Sequence, residues 1–393
     1  MTQEERPGMT NAENARSILV ICPFPLDIAP AQRLKYEQYF DHWRANGYSV
    51  TVSPFMSRRL FDVAWTKGHL GTKILGTLAG MLRRWRDFLR IPRFDLVYVF
   101  LWVTPLGPSW SERIVRGLAK LLIYDIDDNV HLGHQLESAI NPNRILRFLK
   151  GRGKAAYLMR VADYVIASSP FLEASARELN RAGRAVYITS SVDVHHFRPR
   201  ARRPDSPKCV IGWTGTFSSQ PLVEALAPML RRLRETHDFE FRVVGNFDFA
   251  MEGIDLKVVR FDKAREIADL SAFDIGVYPL TDDPFMYGKS GLKAIVYMAM
   301  GLPVVASAVG TTPLLYDHGE IGFMVRSDEE WLAALKALID QPELRQRMGE
   351  TAREVAVAHY SREAVRSQYL RILDAVSGIE RETTGAPKEL AFS

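Results

Sequence analysis

Residues Asp274 to Gly310 read DIGVYPLTDDPFMYGKSGLKAIVYMAMGLPVVASAVG. The apolar run DIGVYPL (274–280) predicts a buried strand ending near Pro279. A polar loop then carries Gly288, Lys289, Ser290 and Gly291 into a helix over about 290–300. LPVVAS (302–307) predicts the next strand almost at once. Strand, glycine turn, helix and strand form the repeating unit of a parallel sheet with helices on its faces. The first turn of that helix offers unpaired N–H groups and a partial positive charge, which suit a phosphate. Lys289 would add a full charge, and the glycines around Lys289-Ser290 permit close backbone approach. The competing reading is a glycine-shaped turn carrying a solvated lysine. The spacing is not that of a P-loop, Gly-x-x-x-x-Gly-Lys-Ser/Thr.

The same alternation extends in both directions. KCVIGWTG (208–215), FEFRVVG (239–245) and LKVVRF (256–261) read as strands, with helices over Pro221–Arg234 and about 264–271. Helices follow at 328–339, 342–358 and 361–378. In the first half, SILVICPF (17–24), YSVTVSPF (48–55), DLVYVFL (95–101), LLIYDID (121–127), DYVIASS (163–169) and AVYITSS (185–191) read as strands. Helices are expected from Gln32 to Asn46 and from Phe171 to about Asn180. RPRARRPDSP (198–207), with three prolines and four arginines, reads as an exposed linker. The expected fold is α/β, with two Rossmann-like domains facing each other across a cleft. They would span 17–200, joined by a returning helix at 361–378, and 208–360. A disordered lead (1–16) and a polar tail (379–393) would flank them. In such sheets ligands bind beyond the carboxyl ends of the strands.

Composition agrees. A chain of 393 residues exceeds one ordinary core, and 47% hydrophobic with 25% charged residues is globular composition. The two cysteines, Cys22 and Cys209, lie far apart in apolar runs, so a reducing cytoplasm fits. No secretory signal and no run of eighteen apolar residues is visible, so a membrane span is not expected. The net charge of +5 is unevenly placed: between Ser57 and Asp95 nine Lys/Arg face three Asp. Leu70, Ile74, Leu75, Leu78, Leu82, Trp85, Phe88 and Leu89 interleave with them at helical spacing. Such a basic amphipathic segment (57–95) suits an anionic membrane surface. The alternative is a core-facing helix with a solvated basic face. No nucleic-acid signature accompanies the charge.

From Gly288 to Ser307 the chain resembles the donor-site segment of the family-4 retaining glycosyltransferases (glycosyl transferases group 1), which have the two-domain GT-B fold. There the pattern Lys-x-x-Glu-Tyr-Met-Ala-x-Gly-x-Pro-Val-Val recurs. SVDVHHFRP (191–199) resembles the family's hinge, VIGWTGT (210–216) its first C-domain strand and loop, and IYDIDD (123–128) an N-domain motif of one subgroup. The helix at 361–378 resembles the final helix that crosses back to the N-domain. The resemblance implies a nucleoside-diphosphate sugar as donor, with no cofactor and no metal. It places Gly215 and Thr216 at the diphosphate by backbone, with Lys289 and the amides of Ser290 and Gly291 neutralising it. Phe261 would meet the nucleobase, with Lys293 and Tyr297 nearby, either of which could simply pack. Two departures stand out. The family's two glutamates, eight positions apart, fall at Gly288 and Val296, so the carboxylate that holds ribose is missing. Its histidine after the third strand is also missing, with Phe100 and Trp102 in that region.

Asp125, Asp127 and Asp128 close one strand at the expected cleft edge. They could serve acceptor or sugar hydroxyls, acid–base work or a metal, or cap the next helix. Asp127 and Asp128 join Lys289 as candidate catalytic residues. Asp125 and Arg33, in the first strand–helix loop, are candidates for the acceptor side; Arg33 could equally be a surface residue. The adjacent His195 and His196 suit hinge packing. The resulting expectation is a metal-independent retaining glycosyltransferase, cytoplasmic and peripheral on the inner membrane face. It would build surface polysaccharide, lipopolysaccharide or glycolipid on a lipid-linked or glycan acceptor. The alternatives are a non-catalytic nucleotide-sugar-binding subunit and a sugar-nucleotide epimerase of the same fold. No Gly-x-Gly-x-x-Gly follows the first strand of either half, which disfavours a dehydrogenase.

Overall fold

A computed structural model describes residues 15–129, 153–199 and 208–380. The sequence expectations for the lead up to residue 14, the linker at 200–207 and the tail from 381 lie outside the described residues. Among the described residues two six-stranded, all-parallel sheets form the framework. The first contains β1 Arg16–Cys22, β2 Tyr48–Pro54, β3 Leu96–Phe100, β4 Leu122–Ile126, β5 Tyr164–Ala167 and β6 Ala185–Tyr187, ordered β2-β1-β3-β4-β5-β6. The second contains β7 Cys209–Gly215, β8 Phe239–Gly245, β9 Leu256–Arg260, β10 Ile275–Tyr278, β11 Val304–Ser307 and β12 Gly322–Val325, ordered β12-β11-β10-β7-β8-β9.

The continuous apolar runs follow from burial on both faces. In β1, Leu19 and Ile21 pack against one helical layer, while Ile18, Val20 and Cys22 pack against the other. In β3, Val97 and Val99 divide in the same way from Leu96, Tyr98 and Phe100. The C-terminal helix Arg362–Ser377 returns to the first sheet, where Tyr369 lies 4.9 Å from the Tyr39 ring. Tyr48 Oη donates to its Asp374 at 2.8 Å, and Val192 bridges to Ser361 at the crossing.

Two expected helices are interrupted. Over 32–46 the chain forms Pro30–Arg33, a 3-10 turn Glu37–Tyr39 and Phe40–Ala45. This bending lets Tyr36, Tyr39, Phe40 and Trp43 all reach the first sheet's core. The helix expected from Pro221 to Arg234 divides into Gln220–Glu224 and Ala227–Arg234, because Pro228 has no N–H for a continuing helix. The edge strand β12 has no counterpart in the sequence reading. At its start Gly322 adopts φ +141°, and a Cβ there would lie 2.0 Å from the Val304 carbonyl oxygen. Only glycine admits that approach of β11.

Strand order reverses between β1 and β3 in one sheet and between β7 and β10 in the other. At such a switch point adjacent loops diverge and open a crevice beyond the carboxyl ends of the strands.

Candidate active site

The second half builds its side of the crevice from the ends of β7 and β10 and the helix Leu292–Ala299. Gly291 precedes that helix in the left-handed region, at φ +73°. Thr311 Oγ1 donates to the Lys289 carbonyl at 2.7 Å, which fixes the loop. Lys289 Nζ lies 5.2 Å from the Phe285 ring centroid. One helical step on, Lys293 Nζ sits 4.9 Å over Trp213, 6.0 Å from Tyr278 and 3.3 Å from Ser219 Oγ. Loss of hydration, with the like charge of Lys289 adding to it, pulls Lys293 down to about 7; Asp128 opposes the shift. Gly215 ends β7 beside this lysine. A Cβ on Gly215 would stand 3.1 Å from Lys293 Nζ and 2.3 Å from the Trp213 ring, so only glycine leaves this surface open. Lys293 thus stands beside Gly215 in the first turn of the helix, with Lys289 near enough for its charge to act on it, an arrangement that favours a polyanion.

The first half presents the residues after β4. Asp128, at φ +59°, turns its carboxylate across the crevice onto Lys289 at 2.9 Å. Asp127 is buried; desolvation, with Asp128's charge adding to it, raises its carboxyl to about 6, while Lys35 opposes the rise. The structure corrects the acceptor-side expectation for Asp125. It is fully buried inside β4, paired with Lys35 at 2.5 Å and accepting a hydrogen bond from Tyr98. Its Lys35 partner also donates to the Ile126 carbonyl at 2.9 Å, so the pair braces the strand end that carries Asp127 and Asp128. Among the described residues no group of three or more His, Cys, Asp or Glu side chains is placed to hold a metal.

Arg33 is likewise engaged. It pairs with Glu266 of the other half at 3.1 Å, beside a Lys263–Asp27 pair that also joins the halves. Thr216 is exposed at the crevice, its hydroxyl 2.9 Å from Ser218 Oγ. Phe261 is half-buried at the end of β9, donating its N–H to the Gly245 carbonyl. Ser290 lies beside Lys289 and is partly exposed. Tyr297 does not face the crevice: it is fully buried and its hydroxyl accepts the Thr214 N–H at 2.9 Å. His195 and His196 both donate backbone N–H groups to Asp193, and His196 stacks edge-on with Phe197.

The two missing glutamates have a structural counterpart. Val296 is packed in the core. At Gly288 a Cβ would come 2.6 Å from the Asn129 Cβ and backbone nitrogen, so a glutamate cannot stand there in this arrangement. Asn129, absent from the sequence reading, is fully buried and donates from Nδ2 to the Pro284 carbonyl at 2.7 Å. Trp213, Ser219 and Tyr278 around Lys293 were also not singled out, since only tertiary contact connects them.

Two doubly wound parallel sheets meeting at a cationic crevice, with the last helix crossing back, define a GT-B architecture. The profile of the family "Glycosyl transferases group 1" matches residues 208–341. A D-inositol 3-phosphate glycosyltransferase of Saccharomonospora viridis is 34% identical over 362 residues, 81% of this chain and 77% of the relative. The chain belongs to the group 1 glycosyl transferases. Its matches to several other curated relatives span 23% to 59% of their lengths. Sucrose-phosphate synthase of Thermosynechococcus elongatus shares the fold at a TM-score of 0.69 and 18% identity, over 92% of this chain and 99% of that one. Anabaena Alr3699/HepE in complex with UDP-glucose does so at 0.63 and 14% identity, over 91% and 99%.

Proposed function

We propose that this protein is a retaining glycosyltransferase that moves a sugar from a nucleoside-diphosphate sugar to a lipid-linked or glycan acceptor. The observation that carries this reading is Lys293 beside Gly215 in the first turn of the helix Leu292–Ala299, with the charge of Lys289 acting on it. In transfer the bond between the anomeric carbon and the diphosphate oxygen breaks, and negative charge grows on the departing phosphate. Preorganised cations stabilise charge as it develops, without reorganising at that moment. The diphosphate would replace Asp128 as the partner of Lys289 and draw Lys293 into its protonated form. Asp128, released from its ion pair, would then face the acceptor hydroxyl, with Asp127 behind it. The departing phosphate is itself a base close to that hydroxyl, which accounts for retention without a protein nucleophile.

A membrane-bound acceptor is supported by the helix Leu70–Arg90. Its Leu70, Ile74, Leu75, Leu78, Leu82, Trp85 and Leu89 project into solvent rather than into the core, Leu82 at 70% and Leu89 at 80% exposure. Arg84 is the exception among its cations, fully buried and bonded to Asp87 and to the carbonyls of Cys22, Ser53 and Val103. No helix among the described residues is long and apolar enough to cross a membrane. The setting that fits is the cytoplasmic membrane face, in surface polysaccharide or glycolipid synthesis.

A second reading, a non-catalytic nucleotide-sugar-binding subunit, draws on Gly288 and Val296, where the family's carboxylates are absent. The two are separated by incubating the protein with a panel of radiolabelled nucleotide sugars and membrane lipid extract. Label transferred to lipid or glycan, with the anomeric configuration kept, supports the enzyme. Donor binding with neither transfer nor hydrolysis would favour the subunit.

A further inference from the structure

Opposite the donor crevice, at the amino-terminal edge of the first sheet, a cavity of about 350 Å³ is lined by Arg113, Arg116, Arg160, Arg181 and Arg184. One carboxylate, Asp163, stands among these five guanidinium groups. It is already engaged, accepting the Leu122 N–H at 2.8 Å and pairing with Arg116 at 3.3 Å. Among the described residues the other four arginines have no ion-pair partner. Arg113 is held in place by the Tyr157 ring, 4.7 Å from its guanidinium carbon. The Arg181 N–H donates to the Arg160 carbonyl, which ties the loop before β6 to the helix Lys154–Val161. Five like charges around one occupied carboxylate raise a positive potential that only an anion relieves. Guanidinium forks match phosphate oxygens in bidentate geometry, which an ammonium does not.

We propose that this cavity is a second anion site, binding a phosphate group remote from the donor crevice. The phosphate could belong to a small soluble molecule or to a lipid headgroup. The second source is geometrically open, because the helix Trp110–Leu118 that carries Arg113 and Arg116 also exposes Trp110 and Ile114. That helix contacts the amphipathic helix Leu70–Arg90. A headgroup in the cavity would then lie alongside an apolar surface.

The test uses the full chain carrying Lys289→Ala, which weakens competing anion binding in the crevice, with and without Arg113→Gln plus Arg181→Gln. Calorimetry reads binding of inorganic phosphate and pyrophosphate. Sedimentation reads binding to phosphatidylcholine vesicles with and without phosphatidic acid. Each lost guanidinium contact is expected to weaken binding about tenfold. Loss of pyrophosphate binding identifies a soluble ligand, and loss confined to phosphatidic-acid vesicles identifies a lipid. Unchanged binding in both arms, with an unchanged melting temperature, overturns the proposal. Should the glutamine pair fail to fold, Arg113→Lys plus Arg181→Lys keeps the charge but removes the forks. Binding by that pair equal to the parent would mean diffuse attraction and would also overturn the site.

Discussion

Gly288→Ala adds one methyl group where the two halves touch. Gly288 is not in the left-handed region, so alanine brings no backbone strain and the cost is contact alone. The new Cβ would lie 2.6 Å from the Asn129 Cβ and nitrogen and 3.0 Å from its Cα. Carbon atoms rest at about 3.5–4.0 Å, so Asn129 must withdraw by about 1 Å. It is buried and bonded to the Pro284 carbonyl at 2.7 Å, so withdrawal breaks that bond. Overpacking costs about 1–3 kcal/mol, and a buried hydrogen bond left unmade about 1–3 kcal/mol. The lower ends sum to about 2 kcal/mol. Opening of the crevice relieves both, so the penalty falls on closure rather than folding. At about 1.4 kcal/mol per tenfold, the ratio of closed to open arrangement falls about 30-fold. Steady-state donor turnover should show kcat/KM lower by up to about 30-fold, and small-angle scattering a larger radius of gyration, with little change in melting temperature. An unchanged kcat/KM and radius would refute this account of the interface.

Lys293 sits near 7 in the folded protein, whereas its ordinary value is 10.5. A bound diphosphate restores its proton, so nucleotide affinity should weaken as pH rises from 7 to 9. Lys293→Met should flatten that slope in calorimetry, and an unaltered slope would exclude Lys293 as its source. The same depression means that the unfolded chain holds one more proton between about 7 and 10.5. This group's contribution to stability therefore rises with pH across that window. Asp127 behaves oppositely: its carboxyl rises from 3.8 to about 6, so its contribution is full below about pH 4 and lost as pH passes 6. Asp127→Asn should accordingly gain melting temperature relative to the parent between pH 4 and 7; parallel melting curves would contradict this. Leu82→Glu with Leu89→Glu should lower binding to anionic vesicles at least tenfold without changing the melting temperature. Equal binding would show that this face does not meet lipid.

The architecture was legible because burial on both faces leaves a simple trace. Runs such as LVYVF must be apolar at every position when alternate residues enter opposite layers. β12 left no such trace, because four residues at a sheet edge, only Val325 of them buried, carry little pattern. The breaks at 34–39 and at Pro228 record packing of particular rings and one missing N–H, which override helical periodicity. In the crevice, Lys289 and its glycines were readable because a cation between glycines at a helix start is a local feature. DIDD was not resolvable by the same means. Asp125, Asp127 and Asp128 look alike in sequence, yet Lys35, some ninety residues earlier, claims one. A left-handed turn aims another at Lys289. The exposed apolar face of Leu70–Arg90 was likewise ambiguous, since helical spacing gives a face but not the side that face meets.

In the proposed enzyme Lys289 and its loop hold the donor diphosphate. Thermal unfolding against UDP, GDP, ADP and their sugars, on the parent and on Lys289→Ala, tests it most directly. One nucleotide at 100 times its dissociation constant should stabilise the parent by about 2.7 kcal/mol. Lys289→Ala should lose most of that gain while melting at the parent's temperature without ligand. Equal stabilisation of both proteins, or of neither by any nucleotide, would contradict the assignment.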